Sequence, residues 1–225
     1  MSDREMYWIG VGDIHEDIGN LKLVPGIAEA QGIIISGDLT NRGRRARAEE
    51  LMQTALHLNE TVYAQIGNMD YPEVSDYLTE AGMNIHATGV EIERGVGLMG
   101  VGLSTPTPFD TPSEVGEKEI GQWLEQAFAA VRGVEHLILV SHDPPYNTTT
   151  DLLPGGQHVG SRSVRDFIER VQPEVCLTGH IHEAVSRDTI GRTQVLNPGM
   201  LSLGGYVHIS LTGGRLAAEI RHIGT

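Results

Sequence analysis

The stretch Ile33-Ile34-Ile35-Ser36-Gly37-Asp38-Leu39-Thr40-Asn41 decides the fold of this chain. Three consecutive β-branched residues without a polar break predict a fully buried central strand. A glycine and then the carboxylate of Asp38 follow this strand almost at once. Open α/β sheets bind their ligands at the carboxyl ends of such strands, but an aspartate there can also simply cap the next helix. Asp38 alone therefore leaves both interpretations open.

The same pattern recurs at four more predicted strands. Each apolar run ends in a small residue, which is followed by a polar residue that can bind a metal ion. The five endings are Gly12-Asp13-Ile14-His15, Gly37-Asp38, Gly67-Asn68-Met69-Asp70, Ser141-His142 and Gly179-His180-Ile181-His182. A single ending of this kind is most often structural, whereas five in order predict one metal site at the strand ends.

These endings supply oxygen and imidazole ligands and no thiolate. The candidate ligands are Asp13, His15, Asp38, Asn68, His142, His180 and His182. Such a set suits manganese, iron, zinc, cobalt or nickel. Alternate residues of an extended segment point the same way, so Asp13 with His15, and His180 with His182, can each hold an ion from one side. We expect two divalent transition-metal ions, manganese first among the alternatives, with the two oxygens of Asp38 shared between them.

The remaining sequence alternates predicted strands and helices. Helices are expected over 44–58, 72–80, 113–131 and 161–171, and residues 20–30 show helical spacing broken by Pro25. Further strands are expected at 7–11, 61–66, 137–140 and 175–177, with a hairpin over 90–101 and strand-like segments over 185–220. Two sheets packed face to face with helices outside account for this order, in one α/β domain spanning 1–225. The loops 104–112 and 143–160 are expected to be irregular and to shape specificity.

Composition excludes several classes of function. The net charge of −14 over 225 residues argues against non-specific binding to nucleic acid or to an anionic membrane. A single cysteine, Cys176, rules out an intrachain disulfide and fits a reducing compartment. No apolar run approaches the roughly 18 residues of a membrane span, and the first residues lack a signal-peptide core. We therefore expect a cytoplasmic protein with no membrane partner, and oligomers could form through edge strands or the hairpin.

The ordered series of five motifs resembles the calcineurin-like metallophosphoesterase superfamily. The resemblance implies a four-layer αββα sandwich, in which helices flank two mixed β-sheets and the metals lie at the strand ends. It implies that one ion takes Asp13, His15, Asp38 and His182, and that the other takes Asp38, Asn68, His142 and His180. It further implies a binuclear phosphoesterase in which a hydroxide bridging the two ions attacks the phosphorus, as ions about 3.5–4 Å apart allow. The ions would give the pocket a positive charge, so the expected partner is a small phosphate ester.

The third motif departs from the pattern that is common in this superfamily. The superfamily often has Gly-Asn-His-Asp or Gly-Asn-His-Glu there, and that histidine helps to protonate the leaving group. Met69 stands in its place, and a thioether has no proton to donate. The sequence thus resembles branches with Met or Cys, which are often associated with phosphodiesters, and we predict a phosphodiesterase. The alternatives are a phosphomonoesterase or protein phosphatase, and a non-catalytic scaffold of the same fold.

Four further residues are candidates for the site. Asn68 and Asp70 are candidate catalytic residues, and we expect Asp70 to orient the Asn68 loop. His158, in the loop after His142, is a candidate acid or phosphate contact, or else a surface histidine. Arg42 follows the Asp38 loop and is a candidate phosphate contact, or else part of a solvated face. Tyr146 could stack on a base or an aryl group of the substrate, or else pack its own loop.

Overall fold

The computed structural model describes residues 6–224, in which eleven strands and four α-helices form two sheets with helices on their outer faces. The strands are β1 (Met6–Val11), β2 (Ile33–Ile35), β3 (Val62–Ala64), β4 (Gly89–Glu93), β5 (Val96–Val101), β6 (His136–Ser141), β7 (Val175–Thr178), β8 (Ser186–Ile190), β9 (Thr193–Asn197), β10 (Gly205–Thr212) and β11 (Arg215–His222). The helices are α1 (Arg45–Leu58), α2 (Pro72–Glu80), α3 (Glu117–Ala130) and α4 (Arg162–Val171). Three short 3₁₀ turns cover Gly19–Leu23, Thr149–Asp151 and Leu201–Leu203.

Both sheets mix parallel and antiparallel pairing. The first has the order β11-β10-β1-β2-β3, and the second has the order β4-β5-β6-β7-β9-β8. In the first sheet β1, β2 and β3 run parallel, and in the second β5, β6, β7 and β9 run parallel. Because the carboxyl ends of parallel strands meet at one edge of a sheet, the polar endings of β1, β2 and β3 are brought together, as are those of β6 and β7.

Three apolar layers separate the elements. Ile33 and Ile35 pack into the layer between the first sheet and helices α1 and α2. Ile34 points the other way, into the layer between the two sheets, as the alternation of side chains along a strand requires. The third layer lies between the second sheet and helices α3 and α4. All three isoleucines have no exposed surface, which confirms the predicted buried strand and the four-layer αββα sandwich.

The predicted helices agree with the observed ones to within a few residues. The helix expected over 113–131 begins only at Glu117, because Ser104 and Ser113 to Val115 pair across the base of the preceding loop. The helical spacing of residues 20–30 produces no α-helix: Gly19–Leu23 forms a 3₁₀ turn and the chain then continues in turns, where Pro25 interrupts the pattern. The hairpin over 90–101 is present as the antiparallel pair β4–β5. Within residues 6–224, no helix has the length and apolar character needed to cross a bilayer.

Candidate metal centre

The candidate ligands lie just beyond the ends of five strands, where the two sheets meet. Asp13 and His15 follow β1, Asp38 follows β2 and Asn68 follows β3. His142 follows β6, and His180 and His182 follow β7. Residues from both sheets, far apart in the sequence, thus share one site.

The ligand atoms form two groups that share one carboxylate. Asp13, His15, Asp38 and His182 place one ligand atom each within 4.8 Å of one another, and Asp38, His142 and His180 do the same. Asp38 belongs to both groups, which is the arrangement expected of a carboxylate that bridges two ions. The amide oxygen of Asn68 lies 3.0 Å from His142 Nε2 and so adjoins the second group.

The distances between the donor atoms are those expected of ligands that bind the same ion. His15 Nε2 lies 2.9 Å from His182 Nε2 and 3.5 Å from Asp38 Oδ2. Two ligands bound at about 2.1 Å and at right angles on one ion lie about 3 Å apart, so these separations fit a metal between the atoms. Asp13 Oδ2 is buried and has no hydrogen-bond partner among the described residues, which a cation would correct. The site therefore fits the divalent ions that the ligand chemistry predicts.

Neighbouring groups orient the ligands. Asn41 Oδ1 lies 2.7 Å from His15 Nδ1 and can accept a hydrogen bond from it, which leaves Nε2 to bind a metal. The backbone N–H of His180 donates to Asp13 Oδ1 at 3.0 Å. Asn197 donates to the carbonyl of Ile181, at 2.8 Å, and so fixes the segment between His180 and His182. These contacts hold the candidate ligands in position.

Charges within the site favour ionised carboxylates. Burial alone would raise the pKa of Asp38, but the neighbouring His142 and His15 lower it below its usual range. Burial likewise works against ionisation of Asp13, whose pKa is nevertheless lowered by His182 and His142. Burial would lower the pKa of His142, but the charges of Asp38 and Asp13 raise it to about 9. Both aspartates are thus ionised at neutral pH, as ligand carboxylates must be, whereas a cation bound by His142 would displace the proton that these charges hold on its ring.

The backbone at these positions is unusual. Asp13, His15, Asp38 and His180 have φ values of 50°, 44°, 50° and 67°, in the left-handed region that non-glycine residues rarely adopt. Strain of this kind concentrates at functional sites, where the surrounding structure holds it in place. Glycine is required in the third motif for a different reason. A Cβ at Gly67 would lie 2.1 Å from Asp38 Oδ1. Only glycine lets the β3 ending approach Asp38 this closely.

Asp70 joins the two loops that carry Asp38 and Asn68. Its carboxylate accepts hydrogen bonds from the backbone of Leu39, Thr40 and Gly67 and from the hydroxyl of Thr40. Burial and the charge of Asp38 raise the pKa of Asp70 to about 6. These contacts are those of a carboxylate that holds loops together, and Asp70 does not line the cleft above the metal ligands.

Three further residues support the centre and were not identified from the sequence. Asn68 donates to Thr111 Oγ1 at 3.0 Å, and Thr111 Oγ1 donates to Glu114 at 2.5 Å, so the orientation of the Asn68 amide depends on Glu114. Thr111 and Glu114 form a Thr-x-x-Glu motif before a helix, and this spacing could have indicated from the sequence that the two side chains interact. Gln65, fully buried, donates to the carbonyls of Ser36, Val101 and Val140 and so links both sheets beside the metal ligands. A glutamine inside an apolar strand was the signal there.

A cleft of about 740 Å³ opens above the metal ligands. Met69 lines it, and its backbone N–H donates to Asp38 Oδ1 at 2.8 Å. Arg42 also lines the cleft, where its guanidinium donates to the carbonyls of Phe109 and Asp110. Arg42 therefore anchors the loop that contains Phe109.

His158 and Tyr146 lie outside the residues that line the cleft. His158 Nδ1 is 2.7 Å from Asp151 Oδ1, and the side chain of His158 is 28% exposed. The Tyr146 ring contacts His158 edge-on, and the Arg162 guanidinium stacks over it at 3.9 Å from the ring centre. Tyr146 thus packs within its own loop region, and catalytic or binding roles for these two residues stay predictions.

Comparisons with known proteins agree with this geometry. The sequence profile of the calcineurin-like phosphoesterase family matches residues 8–184. An uncharacterised protein from Methanocaldococcus jannaschii is 35% identical over 203 residues, which are 87% of this chain and 88% of that protein. The chain belongs to the calcineurin-like phosphoesterase family. Membership indicates a hydrolase of phosphoester bonds and implies divalent metal ions.

Solved structures share the fold. The protein TT1561 of Thermus thermophilus has a TM-score of 0.74 at 20% identity, over 98% of this chain and all of that one. A putative 5'-nucleotidase from Staphylococcus aureus has a TM-score of 0.63 at 15% identity, over 98% of this chain and 54% of that one. At these identities the similarity shows the architecture alone.

Proposed function

We propose that this protein is a binuclear metal-dependent phosphoesterase that acts on phosphodiesters in preference to phosphomonoesters. The observation that carries the proposal is the position of Asp38, which lies in both groups of ligand atoms. All seven predicted ligands adjoin these groups, which favours catalysis over a scaffold that has lost its metals. A single buried cysteine supports a cytoplasmic location.

We assign the following roles to the residues of the centre. Asp13, His15, Asp38 and His182 would hold one ion, and Asp38, Asn68, His142 and His180 would hold the other. Such a pair of ions, when bound, activates a water molecule and offsets the charge of the phosphoryl oxygens. Asn68 keeps its amide oxygen towards His142 because Thr111 accepts from its nitrogen. No Ser or Cys lines the cleft among the described residues, so a water-derived nucleophile fits best.

The preference for diesters rests on Met69. It occupies the wall of the cleft beside Asn68 and supplies no proton for a leaving group. A phosphomonoester with an alkyl leaving group depends strongly on such a proton. One neighbour in structure is named a 5'-nucleotidase, and a phosphomonoesterase is therefore the alternative that the experiment must separate.

The test compares two esters with one leaving group. Turnover of diphenyl phosphate and phenyl phosphate, whose phenoxide leaving group needs a proton, is measured with Mn, Fe, Co, Ni, Zn and Mg. Diesterase activity that requires metal and falls at least about hundredfold in Asp38→Asn is expected. Asp166→Asn, at an exposed position of α4, is the matched control and should keep full activity. Failure of the metal-loaded protein to hydrolyse either ester would contradict the proposal, and a higher kcat/KM for the monoester would overturn the diester preference.

A further inference from the structure

Two loops form the walls of the cleft above the metal ligands, and their side chains are mostly apolar. The first wall spans residues 105–111 and the second spans residues 153–159. The apolar side chains that they contribute are Pro106, Pro108, Phe109, Leu153, Pro154 and Val159. Ile181, between two metal ligands, extends this apolar surface to the floor.

Several of these side chains are exposed to water although they are apolar. Phe109 is 75% exposed and Val159 is 37% exposed. Isolated apolar residues on a surface need no explanation, but apolar residues that line one concave site commonly mark a place for a ligand. The ester bound at the metal ligands is the occupant with which this surface is continuous.

The charges of the walls limit what that ester can carry. Among the described cleft-lining residues, the charged side chains apart from the metal ligands are Arg42 and Glu183. Arg42 already donates to two loop carbonyls, at 3.2 and 2.9 Å. Both bonds leave from Nη2, so Arg42 keeps its charge and is the one cation of the described cleft lining, whereas Glu183 would repel a second phosphate.

Hydrogen bonds within the protein hold both walls in place. Glu114 accepts hydrogen bonds from Thr107 Oγ1 at 2.6 Å and from the Thr111 backbone at 2.9 Å, which ties the first loop to the base of α3. In the second loop the Leu153 N–H donates to Gln157 O and the Val159 N–H donates to Asp151 O. A site that is already ordered loses less entropy on binding, so its apolar surface can contribute to affinity.

We propose that the substrate carries a single anionic phosphoryl group and one uncharged, apolar substituent, which lies between Phe109 and Val159. This inference rests on the proposed phosphoesterase function and specifies its substrate class. The shared chemistry is an apolar group, and an aryl or an alkyl group would satisfy it. Esters whose substituent is a sugar or another strongly polar group are expected to be poorer substrates.

The first experiment varies only the substituent. p-Nitrophenyl phosphodiesters with methyl, butyl, hexyl, phenyl, glyceryl and 2-carboxyethyl groups share one leaving group and one phosphoryl charge. We expect kcat/KM to rise by up to about fourfold for each methylene that is buried. Phenyl above hexyl would assign an aromatic group and hexyl above phenyl an aliphatic one. Equal values across the alkyl series, or a glyceryl or carboxyethyl ester above butyl, would overturn the inference.

The second experiment changes the wall. Phe109→Ala should lower the ratio of butyl to methyl kcat/KM by about fivefold to tenfold, because the Phe109 side chain shields the substituent from water. Leu203→Ala is the matched control, since Leu203 is 71% exposed and lies outside the cleft-lining residues. An unchanged ratio in Phe109→Ala would contradict the placement of the substituent.

A binding measurement separates this inference from the proposed function. Calorimetry with the monomethyl esters of methyl-, butyl- and phenylphosphonic acid needs no turnover. Tighter binding and a more negative heat-capacity change for the two larger groups are expected. If no ester is hydrolysed but this trend holds, the proposed function fails and the apolar subsite stands. If esters are hydrolysed and the trend is absent, only the subsite is wrong.

Discussion

The Nε2 atoms of His15 and His182 lie 2.9 Å apart although 167 residues separate the two histidines in the chain. One follows a strand of the first sheet and the other follows a strand of the second sheet. At this distance the two nitrogens can share one hydrogen bond, and both can also bind one cation. The junction of the two sheets therefore places two imidazole nitrogens where a single ion can bind both.

This pair predicts the effect of His182→Gln on metal content. The variant is expected to bind about one divalent ion per chain and the parent about two, because one group of ligands loses an imidazole. Metal content after dialysis, measured by inductively coupled plasma mass spectrometry, checks the prediction. His57→Gln is the control, since His57 is on α1 and contacts the carbonyl of Gln53. Two tightly bound ions in His182→Gln would show that His182 is not a ligand.

Glu114→Gln is expected to weaken metal binding, although Glu114 is connected to Asn68 only through Thr111. The amide would bind Thr111 less well than the carboxylate does, and Asn68 would then lose its fixed orientation. Changes in groups that orient metal ligands typically cost about tenfold to hundredfold in affinity or activity. Titration of metal affinity and kcat should both show the loss, whereas Glu119→Gln, exposed on α3, should show neither. A fall in thermal stability without a change in metal affinity would indicate a purely structural role.

Glu117 gives the fold a pH-dependent contribution. Burial would raise the pKa of Glu117, but hydrogen bonds from Ser161, Ser163 and Arg162 lower it. A lowered pKa in the folded state stabilises the protein above the unfolded value of about 4.3, and this stability is lost as the pH falls through the folded value.

Glu117→Gln should therefore lower the free energy of unfolding by about 1 kcal/mol at pH 7, a figure that allows for solvent screening of a partly exposed group. The difference from the parent should shrink towards pH 3, as chemical denaturation at a series of pH values will show. Glu119→Gln again serves as the control. A difference that is independent of pH would mean that packing, and not the charge of Glu117, caused the loss.

Of two glycine-to-alanine substitutions, one should abolish metal binding and the other should stabilise the fold. Gly67→Ala places a Cβ 2.1 Å from Asp38 Oδ1, so the Asp38 loop must move and metal binding should be lost. Gly121→Ala lies in α3, where the new Cβ meets Ser163 Oγ at 3.6 Å, an ordinary contact. It should raise the free energy of unfolding by about 0.5–1 kcal/mol and leave activity unchanged. Calorimetric unfolding and metal titration check both variants, and normal metal binding by Gly67→Ala would contradict the argument.

The role of His158 as a general acid can be tested by changing the leaving group of the substrate. Asp151 holds Nδ1, which leaves Nε2 as the atom that could donate a proton. If His158 is the acid, His158→Gln should lower kcat/KM about hundredfold for a phenyl leaving group and far less for p-nitrophenyl, which needs no proton. His57→Gln should affect neither substrate. An equal effect on both leaving groups would assign His158 to its loop alone.

Local sequence predicted much of the site because each ligand is a local feature. A run such as Ile33–Ile35 followed by Gly37 and Asp38 can be recognised without any long-range contact, and five such endings imply that they meet. The bounds of α2 were predicted for the same reason, since Pro72 suits a first helical turn. The 3₁₀ turn at Gly19–Leu23 shows the limit of periodicity, because tertiary packing buried Leu21 and Val24 without an α-helix.

The sequence by itself determined the two-sheet sandwich, the identity of the seven candidate ligands and the absence of a proton donor at Met69. These depend on residue type and on spacing along the chain. Only the tertiary structure decided that Gln65 links the sheets, that Glu114 acts on Asn68 through Thr111, and that His158 turns to Asp151. Those contacts join side chains whose partners depend on loop conformation, and loop conformation depends on the packed elements around it. Their geometry therefore exists only once the two sheets have come together.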